Sequence, residues 1–341
     1  MSEAALEVRH LTVDFVQRSG PKLRAVDDVS LTLYAGATLA LVGESGSGKS
    51  TIVRALGRLM RPSGGEVLLG GRVSTMHRRD VREYRRHVQL VFQDPFASLN
   101  PAHTVAHHLA RPLLLHGQAS RGDVEERSEE LLQSVNLVPP GEVARKYPHE
   151  LSGGQRQRVA IARALAPAPR VLLADEPVSM LDVSIRLEIL NLLDDLKSQR
   201  DLAMLYVTHD LATARHFSSE IMVMYRGEIV ERGPSDEVIL SPSHPYTQLL
   251  AAAAPMPGAT RMALAAARGT RQSARAAREA ERREATVESG CAFRRRCPHA
   301  MPRCSTRPPD VETSPGHTAR CWLYDARSSS LDEQARPASK G

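Results

Sequence analysis

The sequence predicts an α/β fold: a core of buried parallel strands, an α-helical subdomain inserted within it, and a C-terminal Cys-containing extension. Three observations point there. The apolar runs "LTVDFV", "TLALVG", "VQLVFQ", "RVLLAD", "LAMLYVTH" and "EIMVMY" read as strands, and several are followed by helical patterns. Between about residues 94 and 165 the periodicity becomes mostly helical, as in "VAHHLARPLLLH" and "VEERSEELLQSV", broken by "SLNP" and "VPPGE". All four cysteines, Cys291, Cys297, Cys304 and Cys321, fall in one 31-residue window.

A chain of 341 residues, 42% of them apolar, is long enough for one large or two ordinary domains with a sizeable core. No uncharged apolar run reaches the roughly 18 residues that a membrane-spanning helix needs. The N-terminal "MSEAALEVRH" lacks the basic-then-apolar order of a signal peptide, so the chain is expected to stay in the cytosol. A net charge of +6 permits nucleic-acid binding, but 40 of the 45 basic residues are arginine and are spread widely, which a compositional bias explains as well. After "SPSHPYTQLLAAAAPMPG" an Arg/Ala-rich stretch reads as a linker over 257–289, either a solvated helix or tether or a basic binding face. The cysteines belong to an extension over 290–327, and 328–341 reads as a disordered tail.

The chemistry begins at "GESGSGKS", which follows one strand pattern and precedes the helical "TIVRALGRL". A GxxxxGK[ST] loop requires that strand-loop-helix context, because glycines must bring backbone N–H groups against phosphate oxygens. Gly43, Glu44, Ser45, Gly46, Ser47 and Gly48 form the loop, with Thr51 following it. Lys49 is expected to reach the β- and γ-phosphates, and the Ser50 hydroxyl to ligate Mg2+. "RVLLADEP" ends a buried strand in two carboxylates: Asp175 to complete the Mg2+ shell, and Glu176 to polarise an attacking water, turned aside because strand side chains alternate. In "LSGGQRQRVAIARAL", Ser152 reads as an N-cap, Gly153 and Gly154 allow close backbone approach, and Val159, Ile161, Ala162 and Leu165 mark a buried face. Such a helix start suits an anion, although any capped amphipathic helix could begin this way.

Together these parts resemble the ATP-binding cassette ATPases over about residues 6 to 256, with the cassette assigned to 1–256. The order is phosphate loop, Gln93 in "VFQDP", the signature-like "LSGGQ" with Ser152, Gly153, Gly154 and Gln155, then "VLLADE", "SMLD" with Asp182, and His209 in "VTHD". The resemblance implies a P-loop NTPase (RecA-like) core with ATP and Mg2+ as cofactors. It implies that Gln93 touches Mg2+ and the attacking water and that His209 contacts the γ-phosphate; Phe15 is the best-placed residue to stack on adenine, with core packing an equally good reading of it. It also implies that the signature closes on ATP held by a second cassette subunit, identical or not.

"QDPFASLNP", "DEPVSMLDVSI", "SPSHPYTQLL" and "SGCAFRRRCPHAMPRC" resemble the ATPase subunits of oligopeptide and dipeptide importers. That branch implies two transmembrane permease subunits, an extracytoplasmic solute-binding protein reached indirectly, and a peripheral place on the cytoplasmic face of the membrane. It also implies a [4Fe–4S] cluster at Cys291, Cys297, Cys304 and Cys321; spacing alone leaves Zn2+ or a metal-free module equally open. The alternatives are a cassette ATPase acting on nucleic acid and the ATPase of an exporter. The former usually carries a long insertion between phosphate loop and signature, whereas about a hundred residues intervene here, so no nucleic-acid partner is expected.

Overall fold

The computed structural model describes residues 3–16, 22–253 and 290–325. The expectations for 257–289 and 328–341 lie outside the described residues. Among the described residues twelve strands follow in chain order: β1 (Ala4–Phe15), β2 (Leu23–Tyr34), β3 (Thr38–Val42), β4 (Gly64–Leu69), β5 (Arg72–Val73), β6 (Val88–Val91), β7 (Val171–Asp175), β8 (Ala203–Thr208), β9 (Glu220–Tyr225), β10 (Glu228–Pro234), β11 (Asp310–Ser314) and β12 (His317–Arg320).

An eight-stranded sheet has the order β11-β12-β10-β9-β3-β8-β7-β6. From β6 to β9 its neighbours run parallel, and beyond β9 the pairing turns antiparallel. Its parallel strands read as unbroken apolar runs because both faces are covered. In β3, Ala40 and Val42 enter one core while Leu39 and Leu41 enter the other; in β7, Leu172 and Ala174 face Val171 and Leu173 in the same way. A second sheet, β2-β1-β4-β5, is wholly antiparallel and contributes Leu6, Val8, Leu31 and Leu33 to the second core. "LTVDFV" is therefore a strand but not a parallel one. Its apolar residues alternate, with Leu11 and Val13 buried and Thr12 and Asp14 partly exposed, which is the pattern of a strand packed on one face.

Between β6 and β7 the chain is helical: Pro95–Ser98, Val105–Leu115, Val124–Ser134, Pro140–Arg145 and Gly153–Leu165, with a 3-10 turn at Pro148–Glu150. Asp94 starts the first by accepting from the N–H groups of Phe96 and Ala97, and Thr104 caps the next through His107 N–H.

The cysteine extension is built into the main sheet. β12 pairs with β10, placing Ala319 opposite Glu231 and Thr318 opposite Arg232. The buried Glu231 carboxylate accepts from Ser243 N–H at 2.7 Å, His244 N–H at 3.0 Å and His317 Nε2 at 2.7 Å, so one side chain joins three segments. Burial of that polar side chain is compensated because donors from both sides meet it.

Candidate nucleotide site

The parallel strands β3, β6, β7 and β8 all release their loops at one edge of the sheet, where the predicted residues gather. A cleft of about 950 Å³ opens there, lined by residues 43–46 and 48–51, by Gln93, Glu176 and His209, and by Phe15.

The phosphate loop depends on its glycines at two positions. A Cβ at Gly43 would run into the Met224 carbonyl oxygen of β9, and Gly48 holds a φ of 110° with the Ala25 carbonyl in the way of any side chain. Gly48 then caps the helix Lys49–Leu56 with no side-chain hydrogen bond. Lys49, 4% exposed, folds back to donate to the carbonyls of Gly43 at 2.7 Å and Glu44 at 2.9 Å. Burial lowers its pKa, opposed by Glu176, Asp175 and Glu44.

Ser50 Oγ donates to Asp175 Oδ1 at 3.1 Å, joining the two loops. Burial raises the Asp175 pKa, and the Ser50 bond counters it. A hydroxyl and a buried carboxylate oxygen side by side are the hard donors that Mg2+ takes, so these residues fit that ion.

Glu176 lies one residue past β7 and has a φ of 48°. The side chain is turned aside by this left-handed residue, not by the strand alternation expected from the sequence, and such strain collects at functional sites. Its Oε2 receives Gln93 Nε2 at 3.1 Å and faces His209 Nδ1 at 3.2 Å. The His209 bond lowers the Glu176 pKa against burial, and the same bond raises that of His209. An ionised carboxylate thus meets the cleft between an amide and an imidazole.

The helix Gly153–Leu165 starts as expected. Ser152 Oγ accepts from Gln155 N–H at 3.2 Å, and Gln155 Oε1 accepts from Ser152 N–H at 3.0 Å, a reciprocal capping box. Val159, Ile161, Ala162 and Leu165 are buried. Ser152, Gly153, Gly154, Gln155 and Asp182 do not line the cleft of their own chain. Asp182 caps the helix Val183–Arg200 without a side-chain hydrogen bond.

Several lining residues escaped sequence reasoning. Leu23 and Ala25 come from β2, Leu249, Leu250 and Ala253 from the helix Pro245–Ala253, and Arg296 from the cysteine extension. The "HPYT" segment works here too, since Tyr246 OH accepts from Glu44 N–H at 2.9 Å. Local sequence pattern places none of these segments at the cleft, because each reaches it through long-range packing.

The metal expected at the four cysteines finds no support in the structure. None is disulfide-bonded, and among the described residues no group of three or more His, Cys, Asp or Glu side chains is arranged to hold a metal ion. Neither a [4Fe–4S] cluster nor Zn2+ is supported at Cys291, Cys297, Cys304 and Cys321. Burial pushes the Cys291 thiol up to about 11 and raises the pKa of Cys297 and Cys321.

Fold and cleft define a nucleotide-hydrolysing P-loop enzyme, and comparison narrows the class. Residues 26–179 match the ABC transporter family, and 230–304 match the C-terminal region of oligopeptide/dipeptide transporters. The chain is 43% identical over 332 residues to a probable peptide ABC transporter ATP-binding protein, y4tS, of Sinorhizobium fredii, covering 95% of this chain and 91% of that one. It is 42% identical to the oligopeptide transport ATP-binding protein OppF of Salmonella typhimurium, covering 94% and 96%. Among solved structures it is similar to cbiO1 of Clostridium perfringens, with a TM-score of 0.62 and 26% identity over 70% of this chain and 92% of that one. A dimeric post-hydrolysis structure of the ATP-binding cassette MJ0796 with ADP and Pi gives a TM-score of 0.61 and 31% identity over 67% and 98%. The chain belongs to the ABC transporter family, as an ATP-binding subunit that hydrolyses ATP.

Proposed function

We propose that this chain powers the import of di- or oligopeptides through partner permeases, bound peripherally at the cytoplasmic face of the membrane and fed by an extracytoplasmic binding protein. The names of the relatives and the match over 230–304 support peptide as cargo. Among the described residues no helix is long and apolar enough to cross a membrane, which fits a subunit that docks on permeases.

For the ATPase step, the observation that carries the reading is the meeting of Gln93 and His209 on one oxygen of Glu176 beside the phosphate loop. Glu176 takes a proton from the attacking water as its oxygen bonds to the γ-phosphorus and the bond to the β–γ bridging oxygen breaks. Lys49 releases the Gly43 and Glu44 carbonyls to meet the phosphates. Ser50, Asp175 and Gln93 would hold Mg2+, which would supply positive charge against the phosphates. His209 orients Glu176 and reaches the γ-phosphate, and Phe15 stacks on the base. Ser152, Gly153, Gly154, Gln155 and Asp182 close on the ATP of a second cassette; MJ0796, a similar cassette, is dimeric.

Transport in proteoliposomes tests the whole. Chain, permeases, second cassette and binding protein together take up labelled oligopeptide only with ATP, and uptake stops with Glu176→Gln. Peptide uptake that persists with that variant in both cassettes defeats the assignment.

A further inference from the structure

We infer that Arg296, carried by the cysteine extension, is a positioning residue of the ATP site that offsets the charge of Glu44 inside the phosphate loop. The inference rests on reading this cleft as the ATP site.

Glu44 is an awkward residue for its place. It is the second residue of a loop that must receive a highly anionic triphosphate, and its carboxylate is close enough to act electrostatically on Lys49. A negative charge there opposes phosphate binding. Arg296 meets it with a two-pronged contact, Nη1 to Oε2 at 3.0 Å and Nη2 to Oε1 at 3.2 Å. The pair is sheltered, with side chains only 10% and 13% exposed, so solvent screens it weakly. The guanidinium is held in place by aromatic rings, 5.5 Å from the Phe293 centroid and 5.7 Å from that of Tyr225.

The platform beneath Arg296 belongs to both parts of the chain. Phe293 is buried edge-to-face on Tyr225 of β9 at 5.2 Å and lies 5.5 Å from Tyr246. Tyr246 is the residue whose hydroxyl takes the Glu44 N–H. Backbone and side chain of Glu44 are therefore both fixed from outside the phosphate loop, and Arg296 itself lines the cleft. The extension thereby supplies a working part of the nucleotide site.

Equilibrium binding of a fluorescent ATP analogue to the purified full chain tests this, with Lys49→Ala as a control on the site itself. Arg296→Ala weakens binding about 5–10-fold because the Glu44 charge is no longer offset by the guanidinium. Arg296→Lys, which keeps the charge but not the two-pronged geometry, loses about threefold or less. The deciding variant is Glu44→Gln/Arg296→Ala, which returns to within about twofold of Glu44→Gln alone, a rescue that a merely structural arginine would not show. Wild-type affinity in Arg296→Ala, or an undiminished loss in the Glu44→Gln background, overturns the inference. If Arg296→Ala does not fold, Arg296→Gln, alone and with Glu44→Gln, decides by the same criterion. Full ATP affinity in Lys49→Ala would instead defeat the assignment of the cleft.

Discussion

Two helices of this chain begin at glycines and offer N–H groups to an anion, and they begin differently. The helix Lys49–Leu56 starts from Gly48 in a left-handed conformation, with no side-chain cap. The helix Gly153–Leu165 closes on itself through the Ser152 and Gln155 capping box. Neither has an acidic residue in its first turn, so both keep a positive end. Around the first stand a lysine, two carboxylates, a glutamine and a histidine, whereas the second does not line its own chain's cleft. In the proposed closure on a second cassette, the uncapped helix holds the nucleotide and the self-capped helix arrives already formed.

The largest expected effect separates chemistry from binding at the first helix. Glu176→Gln lowers steady-state phosphate release by about 10²–10⁴-fold while ATP still binds. Turnover near wild type would remove Glu176 from the base position.

At the second helix, Gly153 is the better probe than its neighbour. A Cβ at Gly154 would lie 2.9 Å from Ile185 Cγ2, so substitution there mixes packing with electrostatics, whereas at Gly153 the nearest contact is Leu181 Cδ2 at 3.6 Å. Gly153→Asp is expected to cut ATPase by about 100-fold through repulsion of the phosphate, with ATP affinity at the chain's own phosphate loop unchanged. Equal losses in affinity and rate would merge the two halves that the comparison separates.

A third variant asks whether the extension belongs with the first site. Glu231→Ala strips a buried acceptor from Ser243, His244 and His317, and a loss of about 3 kcal/mol in denaturant unfolding is expected. Limited proteolysis should then cleave the extension before the cassette. A change within about 0.5 kcal/mol would mean the three donors find other partners.

The smallest effect concerns pH. The Glu176 pKa is lowered in the folded chain, so its contribution to stability is present above the unfolded value of about 4.3 and is lost as pH falls through the folded one. The His209 pKa is raised, so its contribution is full below about 6.5 and is lost as pH rises through the folded value. The melting temperatures of wild type and His209→Ala should differ most, by about 1–2 °C, between those two pH values. The gap should then close toward alkaline pH; a constant gap would deny the coupling.

The sequence by itself determined which strands are buried and which loop is built for phosphate, since those depend on local pattern: unbroken apolar runs for β3, β7 and β8, and glycine, lysine and serine at fixed offsets for the loop. It also determined the capped start of the helix at Gly153, a matter of four neighbouring residues. Tertiary structure alone decided the conformation of Glu176, because a left-handed residue after a strand has no signature when it is not glycine. It decided that β1 pairs antiparallel in a second sheet, and that β12 joins β10 across some eighty residues of intervening chain. It also chose Arg296 among "RRRC": three adjacent arginines are equivalent in a sequence, and only packing of Phe293 against Tyr225 and Tyr246 aims one of them at Glu44.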